Sequence, residues 1–379
     1  MLYFAVSIAL MGFPLGGLTQ VFSKVSGAFG GREGESVIGV DIGTSSAKIV
    51  QLTERRGAAV LETYGEIALG PYGGAEVGQS VSLSGEKTAE ALTDLAREAN
   101  VSSKVGGFSV PLSASLITVI SLPSKDKEDL ASMIPIEARK YIPVPITEVS
   151  LDWFVIPEEE SAFLGSAVAE RKANTTDVLL VAIRNDSLAK FETITKTALL
   201  TPRFYEIEPF SIARAAYEHG TAPTMIIDMG ASSSRVYVIE FGIIDISHTV
   251  NRGGQDMTLA LAKSTGRTFQ EAELTKREKG MAGSEVGANA LEYIFSEARR
   301  IFLTYERKEG KAIPRVVLVG GGAALKGIIE VAARFFDVPI VLSTPFDRVS
   351  APAFIEDTLK AAGPSLASAI GLALRALKP

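Results

Sequence analysis

The sequence predicts an α/β protein built from a duplicated domain, and three observations carry that expectation. The same run of three strands opens each half of the chain. Both runs contain the same loop, an apolar strand ending in Asp-x-Gly and followed by small hydroxyl residues. A further buried strand near the C-terminus runs into three glycines. A chain of 379 residues has room for two or more domains and a sizeable core.

The elements follow in order from residue 37, after an apolar segment and a Gly-rich polar linker that together fill 1–36. Met1 to Phe22 carries no charge, a length able to span a bilayer. Gly12, Pro14, Gly16 and Gly17 interrupt it, and no basic residue precedes it as a signal peptide requires. A disordered tail, a misassigned start, a membrane anchor and an interfacial segment are all open readings. If the segment spans, Lys24 and Arg32 behind it keep the rest of the chain in the cytoplasm. Strands are expected at 37–41, 47–53 and 62–69, with Gly-containing turns between them. Ala89, Leu92, Leu95 and Ala96 recur at helical spacing and predict a helix over 85–99. Strands at 105–110 and 116–122 precede a helix over 125–141, which the Pro143/Pro145 pair should stop. Strands at 149–156 and 178–183 flank a polar loop, and a helix at 186–200, a strand at 204–207 and a helix at 208–218 complete the first half.

The pattern then restarts with strands at 224–228, 234–241 and 243–250. Helices are expected at 256–266, 270–279 and 286–305, a strand at 316–319, and helices at 327–335 and 365–376. Two halves that open alike point to duplication.

Composition narrows the chemistry. Hydrophobic residues make up 46% and charged residues 22%, a globular balance. A net charge of −6 without any basic stripe argues against nucleic acid as a partner. There are no cysteines, and the only histidines, His219 and His248, lack a second imidazole at ligand spacing, so a transition-metal site is not expected.

The two loops are Val40-Asp41-Ile42-Gly43-Thr44-Ser45-Ser46-Ala47-Lys48 and Ile227-Asp228-Met229-Gly230-Ala231-Ser232-Ser233-Ser234-Arg235. A glycine lets such a turn approach a phosphate closely, and successive backbone N–H groups form an anion-binding concavity. Thr44, Ser45, Ser232 and Ser233 add hydroxyls, and the strand-end aspartates can hold magnesium through water. A single Asp-x-Gly turn reads equally well as a hairpin, whereas two at equivalent places argue for a shared ligand. In Val316-Val317-Leu318-Val319-Gly320-Gly321-Gly322 the glycines either expose bare backbone to a planar base or ribose, or allow tight strand–helix packing. Glu273 and Lys276 share a helix face, which taken alone reads as a solvated ion pair.

Together and in this order, the four elements resemble the actin, sugar kinase and heat-shock chaperone ATPase superfamily, from about Val37 onward. The resemblance implies duplicated actin-like (ribonuclease H-like) ATPase domains that bind ATP and Mg2+. Asp41 and Asp228 would hold the metal through water. Gly43, Thr44, Ser45, Ser46, Lys48, Gly230, Ala231, Ser232 and Ser233 would hold the phosphates. Glu273, Lys276, Gly320, Gly321 and Gly322 would hold the adenosine, with Glu208 placed to polarise water. The helices 208–216 and 365–375 would form the hinge, with Ala367, Ala369, Gly371 and Ala373 permitting a close crossing.

The branch is decided by Glu137-Ala138-Arg139-Lys140-Tyr141-Ile142-Pro143-Val144-Pro145, continuing to Glu148-Val149 and Asp152. This looks like the inserted SHS2-type 1C subdomain of the PilM and FtsA families and is closer to PilM. FtsA-like proteins carry a C-terminal linker and amphipathic helix, whereas this sequence stops at Pro379, straight after the second connecting helix. The resemblance implies a cytoplasmic component of the type IV pilus inner-membrane platform that binds the N-terminal peptide of PilN between subdomains 1A and 1C. Residues 1–22 could add a membrane contact. The implied division is 37–111 with 205–220 as 1A, 112–204 as 1C, 221–252 with 312–379 as 2A, and 253–311 as 2B. The peptide groove should lie near strands 116–122 and 178–183 and helix 128–141, with Tyr141, Ile142 and Trp153 in the core. An FtsA-like cell-division protein and a small-molecule kinase are the alternatives. A kinase needs an aspartate base facing its acceptor, and no convincing one is found.

Overall fold

The computed structural model describes residues 34–157, 175–218, 220, 222–280 and 285–378. The apolar segment, the linker up to residue 33, most of the polar loop before residue 175 and His219 lie outside them.

Each half is organised around a five-stranded sheet of the same order. In the first, β1 (Ser36–Ile42), β2 (Ser46–Arg55) and β3 (Ala58–Ala68) form an antiparallel meander, and β4 (Val105–Val110) and β8 (Thr201–Ile207) add in parallel, giving the order β3-β2-β1-β4-β8. In the second, β9 (Thr224–Met229), β10 (Ser234–Glu240) and β11 (Ile243–Val250) repeat the meander, and β12 (Val316–Val319) and β13 (Ile340–Leu342) add in parallel, giving β11-β10-β9-β12-β13. The central strands β1 and β9 are almost wholly apolar because both of their faces are covered. The sequence expectation omitted β13, whose Ile340–Leu342 is too short to show a period.

A third sheet, β5-β7-β6, is formed by β5 (Ser115–Leu122), β6 (Val149–Val155) and β7 (Thr176–Arg184), all antiparallel. Alternation sends Val178, Leu180 and Ala182 of β7 into a local core with Leu130, Ile134 and Ala138. Leu179, Val181 and Ile183 join the core of the first half. The small sheet is thereby fixed to its neighbour through its middle strand.

The helices are α1 (Gly85–Glu98), α2 (Lys127–Ala138), α3 (Asn185–Thr197), α4 (Glu208–Ala216), α5 (Gly254–Thr265), α6 (Phe269–Lys279), α7 (Glu285–Glu309), α8 (Ile328–Ala332) and α9 (Glu356–Leu377). The ends of α3, α7 and α8 shift by about three or four residues from expectation, and two further differences involve proline. α2 starts on the Asp126 cap and ends at Ala138, not Tyr141. Lys140 and Tyr141 close three-residue turns onto Glu137 and Ala138, because Ile142 before Pro143 is kept out of the helical region. Tyr141 is accordingly exposed rather than in the core, whereas Ile142 is buried and Trp153 packs half-buried against the same cluster. α9 begins at Glu356, not Ser365, and carries Pro364 in its interior. Among the described residues no helix is long and apolar enough to cross a membrane.

α4 and α9 cross between the halves. A Cβ on Gly371 would lie 1.9 Å from the Ser211 carbonyl oxygen, and one on Gly39 of β1 would lie 2.0 Å from that of Ala369. Glycine at both places lets α9 sit directly on backbone. Behind the crossing, the buried Glu206 carboxylate of β8 accepts from Arg214 of α4 at 2.7 Å and from Arg375 of α9 at 2.5 Å, which ties both connecting helices to the first sheet.

Candidate functional site

The two Asp-x-Gly loops adopt the same turn. Gly43 N–H donates to the Ser46 carbonyl at 3.0 Å, and Gly230 N–H donates to the Ser233 carbonyl at 3.1 Å. A Cβ would press on that same carbonyl in each loop, at 3.0 Å and 2.7 Å. The loops face each other across a cleft of about 1130 Å³ between the halves, where the Thr44 hydroxyl donates to Ser232 Oγ at 3.2 Å. Every candidate residue drawn from the sequence lines this one cleft. Asp41, Gly43, Thr44, Ser45, Ser46 and Lys48 line one side, Asp228, Gly230, Ala231, Ser232 and Ser233 the other, with Glu208 between. Glu273, Lys276, Gly320, Gly321 and Gly322 complete the lining.

The strand-end carboxylates are held differently. Asp41 Oδ1 accepts from Ser109 Oγ of β4 at 2.7 Å and from Ser368 Oγ of α9 at 3.2 Å. Ser368 in turn shares a hydrogen bond with Ser211 of α4, so the aspartate reads the position of both connecting helices. Asp228 Oδ2 instead accepts from Arg235 at 3.2 Å. The other side of the same guanidinium lies 3.2 Å from Glu208 Oε2, which also accepts from Leu112 N–H. Burial pushes the Glu208 carboxyl up to about 7; Arg235 pulls against this, and Asp41 and Asp228 push it further. Asp228 is raised for the same first reason, with Arg235 opposing.

Arg235 did not figure among the candidates, although its alignment with Lys48 in the repeated loop was available as a signal. The two cations have different partners. Lys48 donates to Ser46 Oγ and lies 3.7 Å from the half-exposed Glu66. The serines around Asp41 also went unseen, because they come from β4, α4 and α9.

Glu273 and Lys276 are not a solvated surface pair. Glu273 is buried, 2.7 Å from Lys276 Nζ, and accepts from Thr258 Oγ1 at 2.6 Å and from Arg277 at 2.7 Å. Lys276 also donates to the Gly254 carbonyl at 2.9 Å. Burial works against its ionisation, but Lys276, Thr258 and Arg277 together hold Glu273 below the usual carboxylate range. In the glycine cluster the residues differ in their surroundings. Gly320, at φ +85°, would place a Cβ 2.5 Å from Asp228 Oδ1, and Gly322 one 2.7 Å from Met229 Cβ, so these two serve packing. Gly321 has nothing within 4 Å and presents open backbone to the cleft.

Among the described residues no three His, Cys, Asp or Glu side chains converge to make a metal chelate. Asp41 and Asp228 suit a Mg2+ that brings phosphate ligands with it and is reached through water.

Comparison with known proteins gives this architecture a family. The chain is similar to a PilM–PilN type IV pilus biogenesis complex, at 22% identity over 90% of this chain and 99% of that one, with a TM-score of 0.74. It is also similar to the ethanolamine utilization protein EutJ from Carboxydothermus hydrogenoformans, at 17% identity over 91% and 92% of the two chains, with a TM-score of 0.54. At these identities the likeness is one of fold, and the fold is actin-like. The family profile of type IV pilus assembly protein PilM matches residues 39–377, nearly all of the described structure, and the chain belongs to that family.

Proposed function

We propose that this chain is a nucleotide-dependent scaffold of type IV pilus assembly. It holds Mg-ATP between its two halves and the cytoplasmic N-terminal peptide of PilN in a groove between subdomains 1A and 1C. In this reading 37–111 with 205–220 form 1A, 112–204 form 1C, 221–252 with 312–379 form 2A, and 253–311 form 2B. The carrying observation is that two turns with the same closing bond, one from each sheet, meet across one cleft. Their N–H groups and hydroxyls suit the phosphates, Lys48 adds a cation, and Gly321 with the Glu273–Lys276 pair suits the adenosine. The metal, when bound, would supply charge neutralisation at the phosphates. Glu208 sits where a carboxylate could orient water for slow hydrolysis.

Family membership and the partner named with the similar complex support the PilN half. The chemistry agrees, since β5 and β6 are the edges of the small sheet and an extended peptide can add to such an edge. The body would work at the cytoplasmic face of the inner membrane, with residues 1–22 as a second contact and no nucleic acid partner.

Isothermal titration with Mg-ATP and with a synthetic PilN N-terminal peptide tests both halves. Asp41→Ala and Asp228→Ala are each expected to weaken ATP by about tenfold or more, the scale of a lost charged interaction. Unchanged affinity in both would remove the site assignment, and no heat from the peptide would remove the scaffold reading. Phosphate release without an added acceptor measures hydrolysis. Membrane fractionation of the full chain and of a chain starting at Val37 measures what residues 1–36 contribute.

A further inference from the structure

Three carboxylates, Asp41, Asp228 and Glu208, line the cleft where a polyanionic ligand would enter, and all three are at least nine-tenths buried. Asp41 is served by neutral serine hydroxyls. Asp228 and Glu208 share one guanidinium, that of Arg235, the only cation paired with either among the described residues. Arg235 is itself largely buried, its side chain 15% exposed, and is anchored near the start of β10, which pairs with β9 and β11. A guanidinium is planar, permanently charged and weakly hydrated, so it can bridge two buried carboxylates where a lysine reaches one. It also occupies Asp228 Oδ2, an oxygen that a metal-bound water would need.

We infer that Arg235 is a resident counter-ion of this cleft and a specificity-determining residue that makes nucleotide binding less dependent on a divalent cation. The inference rests on the nucleotide reading above. Two consequences follow from the charge arrangement. With Arg235 in place, ATP keeps much of its affinity when the metal is removed, because part of the negative charge is already compensated. Mg2+ alone gains little at Asp228 in the empty protein, because the guanidinium already holds Asp228 Oδ2.

The experiment measures ATP affinity of the full chain in excess Mg2+ and in excess EDTA, for wild type, R235Q and R235K. Melting curves with and without Mg2+ are recorded in the absence of nucleotide. Wild type is expected to lose about tenfold or less on removal of the metal, and R235Q about a hundredfold or more, as charged groups lose their compensation. R235K, which keeps the charge but reaches one carboxylate, falls between. Mg2+ alone should raise the melting temperature of R235Q and leave that of wild type unmoved. Equal metal dependence in wild type and a folded R235Q overturns the assignment of Arg235 alone. Should R235Q not fold, equality of wild type and R235K does so. A wild type that binds ATP under neither condition overturns the nucleotide reading, and this inference with it.

Discussion

Asp245 shows how a single side chain on the second sheet carries a pH dependence of its own. It lies half-buried on β11, and burial, then the nearby Glu309 and Glu240 carboxylates, push its carboxyl to about 6, with Lys308 and Lys311 opposing. A raised carboxylate binds its proton more tightly in the folded state than the ordinary value of 3.8 implies. Protonation therefore favours folding. The benefit is full below that ordinary value and is lost as pH rises through about 6. Asp245→Asn removes the charge and is expected to stabilise the protein at pH 7 by on the order of 1–2 kcal/mol, discounted for partial exposure. The gain should vanish in acid. Thermal melts of both proteins across pH check this, and a constant difference at every pH contradicts it. At this scale the sequence could name Asp41, Asp228 and the glycines, because a loop motif fixes residue type locally. It could not show that Arg235 bridges Asp228 and Glu208, because Glu208 reaches that place through the separate helix α4.

Elements with a period and a punctuating turn were legible. The opening meanders of both halves appear where alternation and Asp-x-Gly placed them. Pro143 looked like a stop for residues that had already left the helix, and α9 begins at Glu356 with Pro364 inside it, well before the expected residue 365. From Gly363 onward α9 is largely buried, with Gly371 close against the Ser211 backbone of α4. The turn after β12 gives the cleanest contrast between packing and function within one element. Gly320→Ala would force a side chain into the Asp228 carboxylate at positive φ and should destabilise by about 2–4 kcal/mol. Gly321→Ala points into open space and should change stability by no more than about 0.5 kcal/mol, yet weaken ATP binding by crowding the cleft. Denaturant melts and nucleotide titration on the two variants separate the roles. Equal destabilisation would mean that Gly321 also serves packing.

The whole molecule is stiff at the back of the cleft and lightly fastened at its mouth. At the back, α9 rests on bare backbone at Gly39 and Gly371, and Glu206 grips both connecting helices, so sliding there meets backbone within one atom's radius. At the mouth the halves meet through the Thr44–Ser232 hydroxyls, through Ser80 N–H donating to Gln255 Oε1 at 2.9 Å, and where Gly78 lies under Glu273. Such hydrogen bonds near solvent contribute about 0.5–1.5 kcal/mol each, little more than thermal energy. The duplicated architecture was legible in the sequence, but this imbalance was not, because both sets of contacts join residues far apart in the chain. The buried Arg235–Glu208 pair adds one charged contact between the halves, and a ligand bridging both loops would add to the closure. Gln255→Ala removes the one mouth contact made by a backbone amide. In the empty protein it should speed hydrogen exchange at the Ser80 amide and lower ATP affinity by about two- to tenfold, the share of closure that this bond provides. With saturating Mg-ATP the exchange difference should shrink, because the ligand then holds the halves together. If the Ser80 amide exchanges at the same rate in both empty proteins, the mouth is held by something other than this bond. If the difference persists with ligand bound, the nucleotide does not bridge the two loops.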